Sequence, residues 1–430
     1  MLGVIGAKSI DELFTDVPDS LKLKRPLAIP SALDEHRLLT KMAGEAARNT
    51  CSLAVPCFLG AGIYDRYIPA VVSAVISRSE FLTAYTPYQP ELSQGYLQTI
   101  YEFQSMTAAL YAMDVANASM YDGATAMAEA ALMAWNVKGR RKIVVSHAVH
   151  PHFLRVLKTY CAPVGLSVEE IKPVAGATTN YDAVDGDTAC VIVQYPNFFG
   201  VIEDLEIARA AARKAGALFI VVADPVACAR LKPPGEYDAD VVVGEGQPLG
   251  IAMGLGGPLL GLFCCKKEYV RRIPGRIVGR TTDANGNAGY VMTLRTREQD
   301  IRREKATSNI CTNEALMGLA ATVYMAAMGK NGLRRVAEAS VRNARYAIDA
   351  LEKAGGSLIF KQPVFDEFVM EFPVDATVVQ LKMLQRGILA GLPLGPYHPS
   401  LQNCLLVAVT ETRTRAEIDE YAVKLREVLA

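Results

Sequence analysis

Asp224 closes the apolar run LFIVVAD, and a carboxylate directly after six apolar residues admits two kinds of chemistry. It can end the strand in an Asx turn that caps the following segment. It can also be the counter-ion of a buried cation, such as a protonated ring nitrogen. Upstream, YDGATAMAEAALMAW sets Asp122, Gly123, Ala124 and Thr125 at the start of a helix whose first turns are nearly all small residues. Unpaired amides and the positive end of the helix dipole would seat a phosphate there; the alternative is that Thr125 is an N-cap and nothing more. SHAVHPHF gathers His147, His150 and His152. The H-x-x-H-x-H spacing raises zinc, but no Cys or carboxylate lies close in sequence and Pro151 interrupts the geometry. We therefore expect no metal, and read these histidines as stacking or hydrogen-bonding groups near a sheet edge.

A fourth stretch has the shape of a site without its chemistry. DADVVVGEGQPLGIAMGLGGPLLGLF begins as a buried strand and then carries Gly244, Gly246, Gly250, Gly254, Gly256, Gly257 and Gly261. Glycine at that density implies backbone lying against a ligand or another chain. Yet no Lys, His, Ser or Cys precedes Cys264. GLGGPLLG is not a nicotinamide fingerprint either, because Pro258 and its apolar tail read as a turn into another strand. The basic stretches RRIPGRIVGR and IRREK read as solvated faces, paired along a helix with Glu298 or Asp300.

The elements that must position these residues are legible from hydrophobic periodicity. Residues 1–30 are mixed and resemble an arm lying on a surface. From Ser31, which with Asp34 has the spacing of a capping box, Leu38, Leu39, Met42, Ala43 and Ala46 form a helical stripe. Pro69 opens another helix, and SQGYLQTIYEFQSMTAALYAM sets Leu97, Ile100, Phe103, Met106, Leu110 and Met113 on one face. Runs at Ile143 to Val145, Cys190 to Val193, Leu218 to Val222 and Val241 to Val243 are apolar throughout, as strands buried on both faces are. Helical segments at 151–162 and 202–215 separate them. This is the βαβ pattern of a doubly wound, mostly parallel α/β sheet, whose ligands bind beyond the carboxyl ends of the strands. Farther on, a helix carrying Val336, Val341, Ala344, Ile348 and Leu351 stops at Gly355 and Gly356. EFVMEF alternates Phe368, Met370 and Phe372 like a strand with one wet face, and Thr414 with Glu417 caps a last helix. The division expected is an arm and helix over 1–60, a large α/β domain over 61–330 and a smaller α+β domain over 331–430.

Bulk composition excludes several classes. Lys plus Arg and Asp plus Glu are 45 each, so no bulk field recommends nucleic acid or an anionic membrane. Nine cysteines without a CxxC pair, several inside apolar runs, indicate a reducing cytoplasm. No leader pattern and no apolar stretch long enough to span a bilayer is apparent, so export and membrane insertion are not expected.

Several long motifs then carry a likeness: FLGAGIYDRYIPAVVSAVISRSEFLTAYTPYQPELSQGYLQTIYEFQSM, YDGATAMAEAALMAW, GEGQPLG, GGPLLGLF, RIPGRIVG and REQDIRREKATSNICTNEAL. In this order, from about Ile29 to the end, the chain resembles the P-protein family of the glycine cleavage system, glycine dehydrogenase (decarboxylating). Within that family it is similar to the N-terminal half, which split bacterial forms carry as a separate first subunit. The resemblance implies a type I pyridoxal-phosphate fold, in which a strand-end Asp pairs with the pyridine nitrogen and a later Lys forms the internal aldimine. Asp224 matches the Asp, and Thr125 falls at the phosphate end, both as vestiges.

The Lys is missing. The spacing between the Lys of the catalytic half and its Gly-Gly-Pro turn, carried back from Pro258, lands on Gln247. A carboxamide cannot condense with an aldehyde. Lys232, in a Pro-rich turn, and Lys266, after the next strand, are poor substitutes. The resemblance therefore implies that a homologous subunit 2 binds pyridoxal phosphate covalently and pairs with this chain in an α2β2 assembly. Glycine is then the substrate and lipoylated H-protein the acceptor. Two stretches are candidates for completing the partner's site. Tyr85, Thr86, Tyr88, Gln89, Glu91 and Gln94 form an aromatic and polar loop, equally readable as rigid packing against this chain's own sheet. Arg276 would hold an anion or line the lipoyl path, or else form a structural ion pair. Alternatives are an independent type I aminotransferase or lyase using another lysine, and a pure scaffold.

Overall fold

The computed structural model describes residues 1–49, 54–254 and 256–430. The chain forms two units, Met1–Cys51 and Ser52–Ala430. In the first, the stripe begins later than Ser31 predicts. Asp34 is the N-cap, accepting from Arg37 N at 2.9 Å, and the helix runs Glu35–Ala46. No described residue of 1–49 is buried, and Leu38, Leu39 and Met42 of the stripe are exposed. Cys51 lies outside the described residues; the other eight cysteines are free thiols, all buried except Cys311.

The second unit is built on a seven-stranded sheet: β1 Val115–Ala116, β2 Lys142–Ser146, β3 Ser167–Ile171, β4 Thr188–Tyr195, β5 Leu218–Ala223, β6 Val241–Glu245 and β7 Gly261–Cys265. Their order is β1-β7-β6-β5-β4-β2-β3. β3, β2, β4, β5 and β6 pair in parallel, while β7 is antiparallel to both β6 and β1. The four apolar runs are strands because both faces are covered. Val191, Val193, Phe219, Val221 and Val242 pack into one core, and Cys190, Ile192, Ile220, Val222 and Val243 into the other. Helices Pro151–Cys161 and Leu205–Ala215 make the crossovers.

The glycine run lies mostly against the chain's own backbone and side chains. A Cβ on Gly244 would meet the Ala223 carbonyl at 2.3 Å, one on Gly254 the Gly257 carbonyl at 2.4 Å, and one on Gly261 the Asp122 carbonyl at 2.5 Å. For these three the close neighbour is the chain's own carbonyl, a third possibility beside the ligand or second chain that their density suggested.

A hairpin, β8 Ile277–Thr282 and β9 Ala288–Thr293, follows the sheet. The helix Ala315–Lys353 is broken at Gly329, whose φ of 58° and ψ of 177° suit a residue without a Cβ. Beyond it lies a second sheet, β10 Ser357–Leu358, β11 Glu367–Glu371, β12 Leu392–Pro393 and β13 Cys404–Ala408, ordered β10-β11-β13-β12. The helix Arg415–Leu429 carries the expected capping box, Thr414 with Glu417. β11 does not have the wet face its alternation implies. Phe368 and Met370 enter the core under the helices, while Val369 packs with Phe198, Phe199 and Leu406 on the opposite side. In the two basic stretches Arg271, Arg272, Arg280, Arg302, Arg303 and Lys305 are exposed, as solvated faces are, while Arg276 is partly buried and pairs with Glu298 at 3.1 Å. Between the stretches Arg297 is buried, donating to the Leu294 carbonyl at 3.0 Å and the Gly275 carbonyl at 2.9 Å.

Candidate functional site

The parallel strands end on one small cavity, as doubly wound sheets prescribe. After β2 comes His150; from β4 and its exit come Gln194, Pro196 and Asn197; after β5 comes Asp224, and β6 ends in Glu245. Gly62 and Tyr64, from the segment ahead of the sheet, and Asp366 and Glu367, at the start of β11, close it. Its volume is about 50 Å³, room for a few waters, whereas small-molecule sites run to about 300 Å³ and more.

Gln247 stands two residues past Glu245 and is 1% exposed. Its Nε2 donates to the carbonyls of Tyr64 at 3.0 Å and Ile251 at 2.8 Å, and its Oε1 accepts from Tyr64 N at 2.9 Å. That pattern needs a donor and an acceptor on one side chain. A carboxamide has both, and an ammonium has no acceptor.

Glu245 is not among the residues that motif or spacing singles out. Its Oε2 accepts from Gly123 N at 3.0 Å, and its Oε1 from Gln247 N at 3.0 Å and Leu260 N at 3.1 Å. Burial raises its pKa to about 7, against the lowering effect of those three amides. Gly123 opens the helix Gly123–Lys138, so the carboxylate occupies the place proposed for a phosphate. Asp122, not Thr125, is the N-cap. Asp122 Oδ1 accepts from Thr125 N at 2.7 Å, and Asp122 N donates back to Thr125 Oγ1 at 3.2 Å. Asp224 takes the Asx-turn geometry, with Oδ1 accepting from Ala227 N at 2.7 Å, and also lines the cavity.

The remaining wall is acidic. Tyr64 Oη donates to Glu367 Oε2 at 2.8 Å, and Ala61 N to Glu367 Oε1 at 2.6 Å. Burial, with Asp366 alongside, pushes the Glu367 carboxyl up to about 8; burial likewise raises Asp366 to about 7, even beside Arg66. Arg66 pairs with Asp366, with Glu411 at 2.9 Å and with Ser340 Oγ at 3.0 Å. Burial opposes its charge, but the two carboxylates prevail and raise its pKa.

The histidines divide. His150 Nε2 donates to the Ala61 carbonyl at 2.8 Å and its Nδ1 accepts from His152 N at 3.1 Å, which fixes the neutral tautomer; burial lowers its pKa to about 4. Its ring lies 5.0 Å from Phe198, and that of His152 5.9 Å from Tyr397. His147 pairs with Glu170 outside the cavity.

No lysine lines the cavity among the described residues. Lys232 sits over the Tyr237 ring at 3.9 Å, and Lys266 pairs with Asp238 at 2.6 Å and Asp240 at 2.8 Å. Pyridoxal phosphate does not fit these residues. The volume is too small, a carboxylate holds the anion position, and the position expected to bear an amine is a saturated amide.

The Tyr85–Gln94 loop is elsewhere. Tyr88 is half-buried, its Oη donating to Asn313 Oδ1 at 2.7 Å, with the Arg276 guanidinium 4.3 Å from its ring centroid. Arg276 also pairs with Glu298 at 3.1 Å and donates to the Cys311 carbonyl at 2.8 Å, the structural ion pair among its alternatives. Gln94 ties the loop to β9, donating to the Tyr290 carbonyl at 2.9 Å. Tyr85, Thr86, Gln89 and Glu91 are exposed, Tyr85 at 91%.

Residues 1–425 match the family described as Glycine cleavage system P-protein. The chain belongs to that family. It is 49% identical over 429 residues to the probable glycine dehydrogenase (decarboxylating) subunit 1 of Anoxybacillus flavithermus, covering 99% of this chain and 96% of the relative. To the protein of the same description in Bacillus subtilis it is 48% identical over 423 residues, 97% of this chain and 94% of the relative. Among solved structures it is similar to a glycine decarboxylase (P-protein) of the glycine cleavage system in inhibitor-bound form, with a TM-score of 0.94 and 42% identity over 100% of this chain and 97% of that one. A glutamate decarboxylase of Lactobacillus brevis, 14% identical with a TM-score of 0.68 over 95% of each chain, shares the fold. The fold is that of the type I pyridoxal-phosphate enzymes, as the P-protein likeness implies. Among the described residues no helix is long and apolar enough to cross a membrane.

The functional residues missed in the sequence left a faint signal. Glu245 stands between two glycines at a strand end, and Asp366 and Glu367 are adjacent acids leading an apolar strand. Both patterns are odd for surface carboxylates, because acids next to buried strands are buried only when partnered.

Proposed function

We propose that the chain is the subunit of a glycine decarboxylase that lacks the cofactor lysine and works only with a homologous partner. The partner chain, subunit 2, holds pyridoxal phosphate covalently in an α2β2 assembly in the cytoplasm. Glycine is decarboxylated there, and its aminomethyl group passes to the lipoyl arm of H-protein. When bound in the partner, the cofactor supplies an electron sink for the departing carbon dioxide.

One observation carries this reading. At the end of β6 the side chain of Gln247 is buried and triply hydrogen-bonded in a cavity region without lysine. Two further features support a role toward another chain. In Met1–Cys51 the apolar stripe is exposed, which favours a covering partner. The exposed side chains Tyr85, Thr86, Gln89 and Glu91 project from a loop anchored through Tyr88 and Gln94, a rigid presentation suited to completing a neighbour's site. Asp224 and Thr125 are then vestiges serving as turn and cap, and Arg276 holds the loop's anchor rather than an anion. The three-part division at 60 and 330 remains our proposed domain scheme.

The test is glycine-dependent carbon dioxide exchange with H-protein, measured for each chain alone and for the mixture. Exchange only in the mixture is expected. Exchange by this chain alone, or full activity of the partner without it, would overturn the reading.

A further inference from the structure

We infer that the anion seat of the ancestral pocket is filled by this chain's own Glu245, so that the pocket is closed to pyridoxal phosphate even if an amine is restored at position 247. The inference rests on the proposed function and goes beyond it, because loss of a lysine alone would leave an open pocket able to hold the cofactor loosely.

Three backbone amides from separate segments converge on the one carboxylate. They are Gly123 N at the head of a 16-residue helix, Gln247 N in the loop after β6, and Leu260 N on the approach to β7. Amides converging at a helix N-terminus make an anion seat. Here the seat cannot be vacated by a side-chain swing without leaving three N–H groups unpaired. Packing holds it shut from the other side. A Cβ on Gly123 would stand 2.9 Å from both Glu245 N and the Phe153 ring, and one on Gly246 2.8 Å from the Leu260 side chain. The carboxylate thus does for the fold what a bound phosphate would do, neutralising the helix end and pairing the amides.

The inference separates two steps in the loss of cofactor binding. Gln247→Lys restores an amine whose nitrogen can attack the aldehyde carbon, forming a C=N bond and releasing water. It does not free the place for the phosphate. Glu245→Ala frees that place and leaves three amides without an acceptor, which inorganic phosphate can then supply.

The experiment uses the purified full-length chain as wild type, E245A, E245Q, Q247K and E245A/Q247K. Each is treated with pyridoxal phosphate and borohydride, and the adduct at position 247 is measured by peptide mass mapping. Each is also melted with and without inorganic phosphate. The double variant should carry at least about tenfold more adduct at position 247 than Q247K, the ratio that about 1.4 kcal/mol of recovered anion binding gives. Phosphate should raise the melting temperature of E245A, but not of wild type or of the volume-conserving E245Q. If E245A folds only in phosphate, the seat is equally supported. Adduct at position 247 in Q247K equal to that in the double variant would overturn the inference, as would equal stabilisation of wild type and E245A by phosphate, or failure of E245A to fold or to respond in phosphate. Should wild type instead be labelled specifically at another lysine, the proposed function falls, while the phosphate comparison still judges the seat.

Discussion

Replacing Gln247 by Ala tests whether this position is an idle remnant or a structural tie. The side chain joins segments 183 residues apart, pairing both backbone groups of Tyr64 and the carbonyl of Ile251. Truncation leaves three polar groups unpaired where the side chain is nearly inaccessible. Each such group costs about 1–3 kcal/mol. A water entering the new void recovers part of this, so the net loss should be about 3–5 kcal/mol. Gln247→Leu restores most of the volume but none of the hydrogen bonds, so it should be nearly as damaging; a position that matters only for packing would be rescued by it. The assay is denaturant unfolding of the full chain, with hydrogen exchange at the Tyr64 amide as the local readout. Both variants should lower the midpoint and speed that exchange. If both remain within about 0.5 kcal/mol of wild type, as substitutions away from such features do, the tie does not exist.

Two other outcomes follow from the same geometry. Glu367 has its carboxyl pushed from 4.5 up to about 8, chiefly by burial; the folded state therefore holds its proton more tightly than the unfolded one, and this contribution to stability falls as pH rises from about 4 to 8. Glu367→Gln removes that slope, so melting curves should show the variant gaining on wild type across this range by roughly 5 kcal/mol in all, at about 1.4 kcal/mol per pH unit; parallel curves would refute it. Tyr88→Leu deletes a hydrogen bond and a cation–π contact, together about 2–3 kcal/mol. If the Tyr85–Gln94 loop meets the partner, the concentration of this subunit giving half-maximal reconstituted activity should rise about tenfold or more, and an unchanged value would remove the loop from the interface.

What could be read in the sequence was what depends on near neighbours and on burial. Four of the five parallel strands were visible because β2, β4, β5 and β6 are buried along nearly their whole length, whereas β3, partly exposed, was not. The Thr414–Glu417 cap was visible because its partners are three residues apart. Gln247 was located by the motif resemblance, but its role was not, since its partner Tyr64 lies far away in the chain. Glu245 stayed hidden for the same reason: Leu260 N returns to it only because β7 runs back antiparallel beside β6. Alternation in β11 named the residues facing the helices correctly. It said nothing of what covers the other face, and Phe198 and Phe199 come from the far end of β4 to cover Val369. The glycines were recognised as sites of close approach, but sequence density does not distinguish approach to a ligand from approach to one's own carbonyls.

A pocket that awaits a ligand carries unpaired groups whose desolvation the ligand must offset, and its stability then depends on ligand concentration. In this chain the corresponding groups are paired internally: the helix amide with Glu245, the Tyr64 backbone with Gln247, the Asp224 carboxylate with Ala227, and the Asp366 carboxylate with Arg66. Such pairing gathers Asp224, Glu245, Asp366 and Glu367 around a single cavity of about 50 Å³. Burial raises the carboxyls of Glu245 and Asp366 to about 7 and that of Glu367 to about 8, while the three amides on Glu245 and the Arg66 guanidinium on Asp366 favour their ionised forms, so protons compete for this wall near neutral pH. The stability of this pocket is thus linked to protons through its own carboxyl groups, and it is the phosphate and adduct comparisons on the Glu245 variants that distinguish a chain closed on itself from one that has merely lost its lysine.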